Sequence, residues 1–187
     1  MLAAILSLCF EPRQRLFALS SGIPAIIVSL AGYAISGQAG AGLFLAGQLC
    51  EVLFLFGAAA LIVSSLFNHR PLTFDSIFGA VCGYLFLGLG WAVVYSMCET
   101  LQPGSFQISQ SLIVAGHSAR PQLQVLIYYS FVTLTTVGYG DISPISSVTR
   151  TFSWMEAITG QFYLAVIVAG LVSMLVSRPV PDRPAGK

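Results

Sequence analysis

The residues best suited to a chemical role form one short run in the second half of the chain, Thr135-Thr136-Val137-Gly138-Tyr139-Gly140-Asp141. Its two glycines stand two positions apart. Because glycine readily adopts positive φ, glycines that alternate with other residues can turn successive backbone carbonyls toward the same side. The run therefore predicts an extended strand lined by carbonyl oxygens.

Side-chain catalysis is not indicated. The sequence has no GxSxG motif, no Cys–His pairing and no nucleotide-binding glycine loop. The four cysteines form no CxxC pair, and no histidine lies at ligand spacing from them, so a metal cluster is not predicted. We expect a protein that is not an enzyme and that has no cofactor.

The composition is that of a membrane protein. Hydrophobic residues make up 56 % of the 187 residues, and charged residues make up 8 %. An ordinary soluble domain is about one quarter charged, so this chain lacks the polar residues to cover a globule. Its net charge of +1 provides no basic surface for nucleic acid.

Four apolar segments are long enough to cross a bilayer, which takes about 20 helical residues. They are 16–36, 43–67, 77–98 and 152–177. A helix predicted over 121–134, with Pro121 in its first turn, is about 20 Å long and too short to cross. Non-helical backbone at membrane depth must be buried in protein or line a watery path. A re-entrant helix followed by the carbonyl-lined strand meets that condition.

This segment resembles the potassium-channel pore loop. The family signature Thr-Val-Gly-Tyr-Gly is intact at 136–140, and the usual aspartate follows as Asp141. The resemblance covers 77–177 and leaves out the first two spans. Together with the four apolar spans, it predicts an all-α membrane protein with four transmembrane helices, a re-entrant pore helix and an extended filter per subunit. The organisation expected is an N-terminal module over 1–70, a pore domain over 71–178 and a cytoplasmic tail over 179–187.

The resemblance also implies roles for the residues of the run. K⁺ would be coordinated by the backbone carbonyls of Thr136, Val137, Gly138 and Tyr139. The Thr136 hydroxyl would add one further oxygen. Support behind the filter would come from Gly140, Asp141, Thr135, Tyr128 and Tyr129. The aspartate would bond to one of the two pore-helix tyrosines. Some family members pair it with a pore-helix glutamate, but Val132 stands at that position here.

The last span supplies candidates for gating. Gly160 lies twenty residues after Gly140, the distance at which many family members carry a hinge glycine. Gly170 is a weaker second candidate. Close helix packing is an equally good interpretation of Gly160. Helical periodicity places four residues near one face as candidate cavity lining, although a lipid-facing stripe would look the same: Leu164, Val168, Val172 and Val176.

Two carboxylates fall inside predicted spans. Glu51 lies in the second span, and we interpret it as a polar clamp that holds the N-terminal module, a peripheral collar, against the pore domain. A functional carboxylate, protonated or paired within the helix bundle, is the alternative. Glu156 lies one turn before Gly160. It is expected to hydrogen-bond behind the pore helix, with tuning of the cavity potential as the alternative.

Basic residues predict the orientation. They cluster before the first span, between the second and third spans and after the fourth, which places both termini in the cytoplasm. The first two spans contain no arginine in their apolar parts, so weak or absent voltage dependence is expected. Short loops favour a bacterial inner membrane.

The resulting hypothesis is a potassium-selective channel that conducts K⁺ passively and contacts membrane lipid. Each chain contributes one pore loop, and the filter needs four, so a homotetramer is expected. Two alternatives remain open at this stage, a non-selective cation channel and a subunit of a potassium-uptake transporter.

Overall fold

The computed structural model describes residues 27–28, 38–67, 74–109 and 122–176. Beyond the helical pair at 27–28, these residues form four helices and two short strands. In chain order they are α1 (Gln38–Phe67), α2 (Phe74–Leu101), β1 (Phe106–Ile108), α3 (Leu123–Leu134), β2 (Ile142–Pro144) and α4 (Ser147–Val176).

Within the described residues, three helices are long and apolar enough to cross a membrane. Their apolar parts are Gly42–Ser64 in α1, Ile77–Leu101 in α2 and Ser147–Gly170 in α4. They coincide with the spans predicted over 43–67, 77–98 and 152–177. The span predicted over 16–36 lies outside the described residues. The molecule is therefore mostly helical, with the short α3 between two of its candidate spans.

The helix boundaries differ from the apolar runs for local reasons. α4 begins at Ser147, five residues before the predicted start, because the Ser146 hydroxyl accepts a hydrogen bond from the Thr149 amide at 3.1 Å. That bond is a serine N-cap, which starts a helix through polar residues. α3 begins two residues after Pro121, because Gln122 is extended at ψ 162°.

α1 packs lengthwise against α2. Phe54 is fully buried, and the Gln48 side-chain amide donates to the Ser96 hydroxyl at 2.7 Å. Further along, the rings of Phe56 and Trp91 meet edge to face with centroids 5.6 Å apart. Edge-to-face pairs contribute about 0.5–1.5 kcal/mol beyond the area they bury. Apolar packing and one polar bond therefore hold α1 to the outer side of α2.

An aromatic cluster joins α2, β1 and α3. The rings of Tyr95, Phe106 and Tyr129 contact one another edge to face, with centroid separations of 5.1 to 5.5 Å. All three side chains are buried. Because each ring belongs to a different element, this cluster fixes the position of α3 relative to α2.

A small antiparallel sheet follows the glycine-rich run. β1 pairs with β2 in the register Phe106↔Pro144 and Ile108↔Ile142. The amide of Ser109 extends the pairing by donating to the Asp141 carbonyl at 2.8 Å. The Glu99 carboxylate accepts from the amides of Gly104 and Ser105 and so shapes the turn that leads into β1. The end of the run is thereby tied to the end of α2.

Candidate functional site

The run begins where α3 unwinds. Thr135 ends the helix in the right-handed region, with φ −85° and ψ −1°. Its hydroxyl donates to the Phe131 carbonyl at 2.6 Å. The next two amides also turn back to the helix, since Thr136 donates to the Thr133 carbonyl and Val137 to the Val132 carbonyl, each at 2.9 Å. The amides that open the run are thus bonded to the carboxyl end of α3.

Positive φ occurs at every second residue of the run. Thr136 has φ 58°, Gly138 has φ 58° and Gly140 has φ 76°, whereas Val137 and Tyr139 do not have positive φ. This alternation is the backbone pattern that turns successive carbonyls toward one side. The two glycines were foreseen from sequence, but Thr136 was not. Thr136 is β-branched, and β-branched residues disfavour positive φ. Its position two residues before Gly138 was the only feature of the sequence that indicated this conformation.

Four successive carbonyl oxygens of the run, those of residues 136–139, accept no hydrogen bond from the part of the chain that the structure describes. Residues 135–140 are all exposed in the single chain, with Val137 at 51 % and Tyr139 at 70 %. Four neighbouring oxygens are therefore available to a cation, on a strand that its own chain leaves uncovered.

Asp141 is held at the end of the run by two hydrogen bonds. The Tyr128 hydroxyl donates to its Oδ2 at 2.7 Å, and the Ile142 amide donates to its Oδ1 at 3.0 Å. The bond to this carboxylate raises the pKa of Tyr128 to about 12, so the phenol remains a donor at neutral pH. Tyr129 bonds instead to the Ser153 hydroxyl at 2.6 Å. Of the two tyrosines considered from sequence, Tyr128 is therefore the partner of Asp141.

α4 passes directly against the carboxyl end of α3. A Cβ on Gly160 would clash with the Leu134 carbonyl oxygen, because it would lie closer than Cβ atoms approach their neighbours in proteins. The Tyr84 hydroxyl donates to the same oxygen at 3.2 Å. Gly160 therefore has a packing role at the start of the run. Its role as a hinge stays a prediction, as does that of Gly170.

The candidate cavity residues lie on the part of α4 that its own chain leaves open. Leu164, Val168 and Val172 are 44 to 57 % exposed, whereas Gly160 and Ile167 on α4 are buried. The side chain of Val176 lies outside the described residues. Exposure in one chain fits both a cavity and a contact with another chain or lipid, so the assignment stays a prediction.

The two carboxylates within spans have different surroundings. Glu156 is fully buried between α2, α3 and α4, where Tyr95 and Ser130 contact it. Glu51 is half-buried on α1, one turn after Gln48, whose amide joins α1 to α2. Within 27–28, 38–67, 74–109 and 122–176, no three His, Cys, Asp or Glu side chains lie close enough to hold a metal ion.

Comparison with known proteins gives matches centred on this site. A family model described as "Ion channel" matches residues 84–177, from within α2 past the end of α4. Protein LctB of Bacillus caldotenax is 36 % identical over 105 residues, which cover 56 % of this chain and 75 % of that protein. Two-pore potassium channel 3 of Arabidopsis thaliana is 40 % identical over 50 residues, which cover 27 % of this chain and 12 % of that protein. Two-pore potassium channel 2 of the same plant is 36 % identical over 50 residues, or 11 % of its length. The chain thus spans about an eighth of these plant relatives.

Proposed function

This chain belongs to the potassium-channel pore-domain family of ion channels, and on that premise we propose that it is a K⁺-selective channel whose filter is the strand 136–140. Family membership makes it a membrane protein and points away from an enzyme. The observation that carries the proposal is the alternation of positive φ along a strand whose carbonyls at 136–139 accept no hydrogen bond from the described residues.

The mechanism follows from those oxygens. Four strands around one axis would replace the hydration shell of K⁺ with the carbonyls of residues 136–139 and the Thr136 hydroxyl. The carboxyl end of α3 carries a partial negative charge from its helix dipole, which favours a cation below the filter. Conduction is passive, because nothing in this scheme couples ion movement to an energy source.

The exposed strand supports a homotetramer. Non-helical backbone is tolerated at membrane depth only when protein or a water-filled path covers it. In one chain, Val137 and Tyr139 are apolar side chains that remain largely uncovered. Four copies with cyclic symmetry would cover these side chains and direct the carbonyls to a shared axis. Tyr139 would then pack behind the filter.

The remaining features of the proposal concern the rest of the chain. The subunit would have four spans, with the first at 16–36 and both termini in the cytoplasm of a bacterium. The module over 1–70 would form a collar around the pore domain, which the packing of α1 on α2 supports. α1 contains no Lys or Arg, so weak voltage dependence is proposed.

The proposal predicts K⁺ flux over Na⁺ flux in liposomes that contain the purified protein. We expect selective K⁺ flux, its loss in Thr136→Ala because a ligand hydroxyl is removed, and four subunits after cross-linking. Empty liposomes are the control. Equal flux of both ions would favour a non-selective cation channel. A protein that is not tetrameric and moves K⁺ only when a gradient of a second ion is applied would indicate a potassium-uptake subunit.

We expect Tyr128→Phe to destabilise the conducting filter, because it removes the donor that holds Asp141. A hydrogen bond to a charged group contributes about 1.5 kcal/mol at the lower end of its range, which corresponds to about a tenfold shift in the conducting equilibrium. The measurement is the decay of K⁺ flux with time. Tyr129→Phe is the matched control, since that hydroxyl bonds to Ser153. Faster decay in the control than in Tyr128→Phe would contradict this account of Asp141.

A further inference from the structure

Three helices meet at one buried carboxyl group. Glu156 of α4 is 0 % exposed, and so are its two partners. The hydroxyl of Tyr95 on α2 donates to its Oε2, and the hydroxyl of Ser130 on α3 lies against its Oε1, both at 2.5 Å. Ser130 lies on α3, about one and a half helical turns before Thr136, where the proposed filter begins. This cluster therefore links α2, α3 and α4.

The number of protons available for hydrogen bonds in the cluster indicates whether the Glu156 carboxyl is protonated. The Ser130 hydroxyl lies 2.5 Å from Glu156 and also 2.7 Å from the Gly88 carbonyl oxygen. A serine hydroxyl has one proton to donate, and a carbonyl can only accept. When Ser130 donates to Gly88, its contact with Glu156 is a hydrogen bond only if Glu156 supplies the proton. As a carboxylate, Glu156 would leave one of these buried contacts without a proton.

The charges around the cluster agree with a neutral acid. The titratable groups that face Glu156 from the packed helices are the tyrosines Tyr84 and Tyr95 of α2 and Tyr129 of α3. In the described ranges Arg150 is the sole Lys or Arg, and its guanidinium donates to the Pro144 carbonyl at 3.1 Å. A buried carboxylate without a cationic partner is disfavoured relative to the neutral acid.

We propose that Glu156 is a protonated carboxylic acid that positions the pore helix through Ser130 and so keeps the filter in its conducting shape. Glu156 donates to Ser130, Ser130 donates to Gly88, and Tyr95 donates to Glu156. Loss of the Glu156 proton would leave either this contact or the Ser130–Gly88 bond without a proton and so weaken the hold of α2 and α4 on α3. The proposal rests on the K⁺-channel function for its effect on the filter, but the protonation state itself does not.

The experiment compares Glu156→Gln with Glu156→Leu in the full-length protein. Glutamine keeps the shape of the neutral acid, since its amide can donate to Ser130 and its oxygen can accept from Tyr95. We expect Glu156→Gln to keep K⁺ flux within about threefold of the wild type. We expect Glu156→Leu to reduce K⁺ flux by at least about tenfold, because leucine leaves the buried hydroxyls of Ser130 and Tyr95 without this partner. K⁺ flux of the wild type should fall as pH rises, whereas flux through Glu156→Gln should not change with pH.

Infrared difference spectroscopy tests the proton directly. The carboxylic-acid C=O band of the wild type at neutral pH should disappear in Glu156→Gln and persist in the matched control Glu51→Gln. A band that persists in Glu156→Gln overturns the proposal. So does an alkaline loss of flux that is the same in Glu156→Gln and wild type, or a Glu156→Gln protein that fails to assemble. A wild type that shows the band but no K⁺ flux would instead contradict the proposed channel function.

Discussion

Gly138→Ala should abolish K⁺-selective flux while the chain still folds. At Gly138 a Cβ would meet nothing within 4 Å in its own chain, so the substitution causes no clash there. Its cost comes from φ 58°, a conformation that disfavours an L side chain by about 1–2 kcal/mol per residue. The same cost would be repeated in each of four subunits. The strand relieves it by leaving the alternation, which turns carbonyls away from the ion.

Gly104 offers a matched control for this prediction. It has φ 85°, and a Cβ there would also meet nothing within 4 Å, but it lies in the turn before β1. Gly104→Ala should therefore suffer a similar backbone cost and still conduct K⁺. The measurement is K⁺ and Na⁺ flux in liposomes, with tetramer content checked by cross-linking. Wild-type selectivity in Gly138→Ala would show that the alternation of φ is not needed for selectivity.

Gly160→Ala should both lower stability and reduce flux. The new methyl group would clash with the Leu134 carbonyl oxygen and lie 3.0 Å from the Leu134 Cδ1. Because the carbonyl is backbone at the end of α3, relief requires that α3 or α4 move as a whole. Overpacking of this kind costs about 1–3 kcal/mol. Leu134 lies two residues before Thr136, where the proposed filter begins, so we expect a lower melting temperature of the protein and K⁺ flux reduced by about tenfold or more.

Gly79→Ala is the control for the packing at Gly160. It lies inside α2, and a Cβ there would meet Ile62 at an ordinary 3.8 Å. Alanine is favoured over glycine in a helix by about 1 kcal/mol, so this variant should be neutral or slightly more stable. The same pair of measurements separates hinge from packing. If Gly160 served only for bending, Gly160→Ala would melt like the wild type and differ only in gating.

Local chemistry explains what could be predicted from sequence. Hydropathy located the apolar parts of α1, α2 and α4, and the length of the apolar run before the filter identified a helix too short to cross. Glycine spacing pointed to Gly138 and Gly140. These inferences need only neighbouring residues, because membrane span length and positive φ are both local requirements.

The rest depended on contacts between distant segments. The three-residue strands β1 and β2 pair across a stretch that contains all of α3, and nothing in either strand alone indicates its partner. The surroundings of Glu156 come from α2 and α3, and they emerge only when those helices are packed together. Thr136 adopts positive φ against its own preference, so propensity argued for the wrong conformation there. The first span, the orientation and the cavity lining remain predictions.

The β1–β2 pair has a consequence for how this protein can be altered. It joins Ser109 to Asp141, and these two residues lie before α3 and at the end of the glycine-rich run. A substitution in β1 that weakens this pairing would therefore loosen the hold on Asp141 at the end of the glycine-rich run, although β1 precedes α3 in the chain.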